Sequence, residues 1–429
     1  MIAFEEMVST KVSKKELGEL LRNNNSAVFE DIGKIIRRSE EAVSKRLARM
    51  EEFEFYWRKR FEFWKKLQQR PILLIDKMGQ KEREIIRRAE FYFENTRLHI
   101  RVVKYSSGLF PDGLVWSPTI VLGDVENMIG DTLVFVNEKF NLDYEIRHDE
   151  AWEWYRLTNL SGEDDVSEIL LSAKANWGQL SDRLKKRGLA KCYLFGTGPS
   201  LAMAKDRDWN DGIKIVCNTI VRDRELWNKL QPDIIVAADA IYHFGHTKFA
   251  RRFREDLKKR MRETQTYFIY PLMFHSRVER ELSEFSSRLI PVPQGEFGDI
   301  VYDMSSKFAM PYLGNVLTMM LLPIATNLSK KVYLWGFDGR APGDKLFWSN
   351  SKQHSYPELL PELVLTHPAF FAYHVPDKNP TKYVKEVHGD VLEKLLIGAE
   401  SKGYRFVMMH PSYTPSLQKR FRHQVGSRI

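Results

Sequence analysis

From Lys191 onward the sequence alternates short β-rich runs with Gly-bearing turns and helical segments, and this constrains the fold more than any other feature. The runs are residues 192–195, 213–217, 234–238, 266–270, 332–334 and 404–408, each rich in β-branched, aromatic or other large apolar side chains. Several are separated by stretches with helical spacing. That pattern predicts an α/β fold, a Rossmann-like, mostly parallel sheet with helices on both faces. Ligands of such sheets bind beyond the carboxyl ends of the strands, so the residues just after each run are the candidates for function.

Upstream, residues 71–75, 98–103 and 132–136 read as strands, with turns at 111–113 and 123–124. Residues 151–189 read as helix, with an N-cap expected within 161–165. Residues 38–70 contain no Pro or Gly, and Val43, Leu47, Met50, Trp57, Phe61 and Trp64 fall at steps that share one helical face. Basic residues interleave with the stripe, but such a solvated face is ordinary. The expectation is a helix packed on the rest of the protein or on a second copy. The division that follows is a helical region 1–70, a small mixed α/β region 71–190, a sheet domain 191–415 and a basic tail 416–429.

Composition narrows the function classes. With 43% hydrophobic and 29% charged residues in 429, the chain is neither disordered nor a disulfide scaffold. The two cysteines, Cys192 and Cys217, sit in apolar runs and read as small buried hydrophobes of a reducing, cytoplasmic protein. Glu5 and Glu6 stand where a signal peptide carries basic residues, and the apolar stretch 316–325 is too short to span a bilayer. The net charge of +9 admits nucleic acid, a phosphorylated small molecule or an anionic membrane surface as partner.

The first turn, Gly196-Thr197-Gly198-Pro199-Ser200-Leu201, opens like a dinucleotide fingerprint but has Leu201 where a third Gly belongs, and no Lys-Ser/Thr follows. Two glycines, a helix N-terminus and the Ser200 hydroxyl suit a phosphate or nucleotide, or else form a plain tight turn. Asn218 ends the second run and suits a base or ribose, or caps the helix starting near Asp223. Asp239 ends the third, as ligand or cap. Gly314-Asn315 precedes an apolar helix at 316–328, and Asp338 and Arg340 follow the run 332–334. Arg340 is of a type that grips phosphate or carboxylate in a fork. The single D-x-D, Asp206-Arg-Asp208, follows a helix and reads as a solvated acidic loop rather than a metal site. No zinc-hydrolase spacing links the histidines from His354 to His423.

Taken together, the GTGPSL turn, Val216-Cys-Asn218, the strand end at Asp239, Gly314-Asn315 with its apolar helix, and Val332-Tyr-Leu-Trp-Gly-Phe-Asp338 resemble the bacterial lipo-oligosaccharide sialyltransferases. The same core resembles the motility accessory factors, presumed nonulosonic acid transferases. The resemblance spans about residues 190–415. It implies a CMP-activated sialic acid lying across the Gly-rich turn, donor contacts at Gly196, Thr197, Gly198, Pro199, Ser200, Asn218, Asp239, Gly314, Asn315, Asp338 and Arg340, His388 as general base and Tyr383 beside the donor. It implies no resident metal or cofactor. Thr197 and Asp239 stand where those enzymes have Asn, and Gly339-Arg340 where they have aromatic residues.

The implied activity is an inverting glycosyltransferase that moves a sialic-acid-like sugar onto a glycan or protein hydroxyl. A pterin diphosphokinase-like enzyme using ATP and Mg²⁺ is the first alternative, and a non-catalytic scaffold the second. Nucleic acid is not expected, since no motif for it accompanies the charge. The tail 419–428 suits contact with an anionic inner membrane face, where a glycan acceptor would be made, and the N-terminal helices suit self-association.

Overall fold

The computed structural model describes residues 72–76, 101–105, 119–122, 132–135, 166–295, 299–341, 354–367 and 390–421. Parts of 87–94 and 151–155, and Phe371, complete the described set. The stripe at 38–70, the turns at 111–113 and 123–124, the cap at 161–165, Tyr383, His388 and residues 422–429 lie outside it.

Two sheets are present among the described residues. The first is parallel, with strands β1 (Ile72–Asp76), β2 (Arg101–Tyr105), β3 (Thr119–Leu122) and β4 (Thr132–Phe135) in the order β2-β1-β3-β4. β3 was not expected from the sequence. The second sheet has seven strands: β5 (Lys191–Phe195), β6 (Ile213–Cys217), β7 (Ile234–Val236), β8 (Tyr267–Pro271), β9 (Leu289–Val292), β10 (Lys331–Trp335) and β11 (Arg405–Met408). Their order is β11-β10-β5-β6-β7-β8-β9, and each neighbouring pair is parallel. The α/β expectation is met. β7 stops two residues before the run 234–238 does, and β9 was missed because Leu-Ile-Pro-Val is short and contains a Pro.

Helices α1 (Val166–Lys186), α2 (Arg224–Leu230), α3 (Lys248–Glu263), α4 (His275–Leu282), α5 (Leu322–Leu328), α6 (Leu360–Thr366), α7 (Asp390–Ser401) and α8 (Pro415–Gln418) surround this sheet. Strand alternation divides its core into two layers. Tyr193 and Phe195 point to one face and pack with Leu226, Trp227, Phe249, Phe253 and Val278 of α2, α3 and α4. Cys192 and Leu194 point to the other and pack with Ala173, Trp177 and Leu180 of α1, Leu322 of α5 and Leu396 of α7. Each face therefore takes every second residue of a strand. Both cysteines are buried, and burial pushes their thiols up, that of Cys217 to about 12.

The apolar segment expected as one helix over 316–328 divides in two. A π turn, Leu317–Leu321, precedes α5, and the regular ladder restarts around Pro323, which has no N–H to donate. The beginning of the basic tail is also paired. Arg420 donates to both Glu393 and Glu400 of α7, and Lys419 lies 3.3 Å from Glu393. No described helix is long and apolar enough to cross a membrane.

The strand order positions the functional surface. From β5 the chain runs outward through β6, β7 and β8 to β9, then crosses back to lay β10 and β11 on the other side of β5. The turns after β5 and β10 therefore face each other across the point where the winding reverses, where open α/β sheets bind ligands.

Candidate active site at the β5–β10 switch

The Gly-rich turn after β5 is joined to the turn after β10 by main-chain bonds. Gly196 N donates to Trp335 O at 2.8 Å, and Gly198 N to Gly336 O at 2.8 Å. Approach this close excludes side chains. A Cβ on Gly196 would stand 2.5 Å from Gly336 O, and one on Gly336, at φ +77°, would overlap the Gly196 carbonyl. Gly339, at φ +70°, fits against Thr414 for the same reason.

Beyond Gly198 the chain enters a 3₁₀ segment, Pro199–Asp206, whose own N-cap residue, Gly198, offers no side-chain acceptor. Asp338 supplies one from across the seam. Ser200 N lies 3.1 Å and 3.3 Å from its two carboxylate oxygens, and the Ser200 hydroxyl lies 2.9 Å from Oδ2. The donors that the sequence offers to a phosphate are thus occupied by a carboxylate of the same chain. Among the amides of residues 196–201, Thr197 N–H alone has no hydrogen-bond partner among the described residues.

His410, just past β11, completes the join. Its Nδ1 lies 2.8 Å from Pro411 O, an acceptor, so Nδ1 carries the proton. Nε2 then accepts from Gly336 N at 3.0 Å and stands 2.8 Å from the Ser200 hydroxyl. Although that spacing is nucleophile-to-base, Ser200 is only 5% exposed and its hydroxyl lies between two internal acceptors. The trio therefore holds the turn rather than attacking a substrate. Trp335 Nε1 donates to Ser200 O, and Ser412 donates to Phe337 O, so the turn after β10 is tied to both neighbours. The sequence offered no route to His410 as a partner of Ser200. Its only signal was a position just beyond a strand end.

Asn218 begins a 3₁₀ turn directly after β6 with φ +54°, a left-handed conformation uncommon for a residue with a side chain. Its Oδ1 is buried and accepts no hydrogen bond from the described residues. Of the two roles the sequence left open to it, a base or ribose contact and a cap of the helix near Asp223, the cap is taken by Asp223 itself, which accepts from Leu226 N at 2.9 Å. An orphaned buried acceptor of this kind costs about 1–3 kcal/mol, and the left-handed backbone about the same. Both costs fall on one residue at the end of β6.

Asp239 and Arg340 likewise follow strands, β7 and β10, whereas Asp206, the last residue of the 3₁₀ segment, and Asp208 lead into β6. Asp239 caps the π turn Ala240–Phe244 through Oδ1, which accepts from Ile241 N at 2.8 Å and Tyr242 N at 2.9 Å. Its own N–H donates to His243 Nδ1, and burial pushes the His243 imidazole down from 6.5 to about 3, so the ring stays neutral. Asn315 Oδ1 accepts from Leu317 N at 2.7 Å, opening the π turn before α5, next to exposed Gly314. Arg340 follows Asp338 on the loop after β10, and Pro199 starts the 3₁₀ segment. Asp206 and Asp208 are exposed, with Asp208 accepting from Asn210 N at 3.1 Å. No group of three or more metal-ligating side chains occurs among the described residues.

Two outcomes follow from this geometry. Gly336→Ala should lower stability by about 2 kcal/mol or more, since both its φ and its neighbour forbid a Cβ, and urea denaturation reads the loss. His243 is neutral when folded and gains a proton when unfolded below its ordinary 6.5. Its contribution to stability is therefore complete above pH 6.5 and is lost as pH falls from there toward 3, by up to about 1.4 kcal/mol per pH unit. The difference in unfolding free energy between wild type and His243→Gln, measured from pH 7 to pH 4, should follow that slope.

No family model matches this chain, and no curated protein does. Solved structures of the sialyltransferase CstII from Campylobacter jejuni show weak similarity. The complex with the substrate analogue CMP-3FNeuAc is 14% identical, covering 53% of this chain and 88% of that chain at a TM-score of 0.28. The complex with cytidine-5'-monophosphate is 12% identical, with 53% and 86% covered and a TM-score of 0.25. Similarity at this level assigns the chain to no family.

Proposed function

We propose that the chain is a glycosyltransferase that takes a sialic-acid-like sugar from a CMP-activated donor. Asn218 carries the reading. Its unfilled, buried Oδ1 sits at the end of β6, beside the β5 turn whose Thr197 N–H is likewise unfilled. The ends of these neighbouring strands thus carry an acceptor and a donor that have no partner among the described residues. That pairing suits the polar edge of a nucleoside and a phosphate oxygen next to it.

The chemistry fits the residue types supplied. A CMP-linked sugar leaves with a nucleoside monophosphate, whose developing charge the Thr197 amide and a guanidinium such as that of Arg340 can stabilise. The anomeric carbon passes through an oxocarbenium-like state. The acceptor hydroxyl, on a glycan or protein, needs a base that works near neutrality, and a histidine suits this. His388 is the residue we assign to it, with Tyr383 beside the donor. Both assignments rest on the sequence resemblance.

Thermal shift with CMP against ATP plus Mg²⁺ tests the reading. CMP should stabilise the full-length protein and ATP plus Mg²⁺ should not; the opposite result would favour the diphosphokinase alternative. Asn218→Gly relieves the left-handed backbone, so the variant should be at least as stable as wild type yet bind CMP about tenfold or more weakly. Unchanged CMP affinity in that variant would remove the observation on which the proposal stands. His388→Ala should abolish transfer while leaving the CMP shift in place.

A further inference from the structure

The N-terminus of the 3₁₀ segment after β5 is where a strand–Gly-turn–helix unit ordinarily holds a diphosphate, through free amides and the positive end of the peptide dipoles. In this chain the position is filled. Ser200 N and the Ser200 hydroxyl are both directed at the Asp338 carboxylate, with distances of 3.1, 3.3 and 2.9 Å. Gly198 is what allows it, because a Cβ there would overlap Asp338 Oδ2. The glycine that in such turns brings the backbone close to a pyrophosphate here brings it close to an aspartate.

The arrangement is locked from behind. Asp338 lies on a turn fixed by Ser412 bonding to Phe337 O, by Tyr413 N donating to Asp338 O at 2.6 Å, and by His410 holding Gly336 N. Gly339 is pressed against Thr414 with no room for a Cβ. The carboxylate therefore cannot swing out of the cradle without breaking the seam. A second phosphoryl group brought to this point would meet a fixed negative charge and find the Ser200 donors already used.

We propose that Asp338 is the specificity-determining residue of the donor site: it fills the anion position of the Gly-rich turn, so that donors joined through a single phosphate are accepted and nucleoside diphosphate compounds are rejected. The inference rests on the nucleotide-sugar reading given above. It adds a repulsive element to that reading, and discrimination by a built-in repulsion needs no additional contact to the preferred ligand.

The experiment uses the full-length protein, its Asp338→Asn variant and its Asp338→Ser variant, titrated calorimetrically with CMP, CDP and inorganic pyrophosphate. Asp338→Asn removes the charge but keeps an oxygen for Ser200 N, and Asp338→Ser empties the position. Wild type should bind CMP, bind CDP on the order of tenfold more weakly, and show no heat with pyrophosphate. In the variants the CMP-to-CDP ratio should fall toward one, with pyrophosphate binding appearing most strongly in Asp338→Ser. A merely structural role predicts only loss of binding, never a gain. If neither variant gains pyrophosphate binding and the ratio is unchanged, the proposal is overturned, and Asp338→Asn decides alone should Asp338→Ser not fold. Absence of CMP binding in every protein would sink the nucleotide-sugar reading instead, while the pyrophosphate titration still judges the anion position.

Discussion

The seam between the turns after β5 and β10 organises everything around the candidate site. Gly196 and Gly198 donate to Trp335 O and Gly336 O, and Asp338 then caps the segment that follows Gly198. The main-chain bonds contribute only about 1 kcal/mol net each, and those to the Asp338 carboxylate about 1.5–3 kcal/mol. Their joint effect is geometric. They fix two loops of opposite winding direction against each other at the switch point, with His410 and Ser412 bracing from β11. The rim on which Thr197, Asn218 and Asp239 stand follows from that join.

The site consequently combines two kinds of polar group. Asp338, Ser200 and His410 are saturated with internal partners and serve rigidity. The Asn218 side-chain oxygen and the Thr197 amide have no hydrogen-bond partner among the described residues and stand at the carboxyl ends of β6 and β5. Sites that bind by preorganisation need both: a frame whose members have no remaining choice, and a few groups with unspent capacity.

The sheet was largely legible because its signal is local. Residues 192–195 form a continuous apolar run and 213–217 are apolar but for Lys214, as strands covered on both faces should be, and they fall within a residue of β5 and β6. Leu289–Val292 escaped because a Pro in a four-residue run reads as a breaker, although β9 is an edge strand, where Pro is tolerated. The lip residues Asn218, Asp239 and Asp338 were legible as strand ends, but what each does was not. The partner of Ser200 is 138 positions away in Asp338, and its other partner, His410, is 210 away. No periodicity or motif encodes a bond across such separations. The broken fingerprint is explained in the same way. Leu201, where a third glycine would serve a dinucleotide, is fully buried in the core beside α2.

The crossover that creates the switch point also sets the order in which the molecule can be completed. β5 lies in the middle of the sheet, yet the neighbour on one of its sides, β10, is made only after β6 to β9. At ribosomal rates of roughly 5–20 residues per second, that edge of β5 stays without its strand for about 7 to 28 seconds. Its side chains include Leu194 and Phe195, both fully buried in the finished protein. A nascent chain of this kind exposes an apolar strand edge as a template for foreign strands throughout that interval. The same delay means that no partial chain ending before β10 can bear the Asp338 cap, so a truncated product would be sticky and would lack the assembled site.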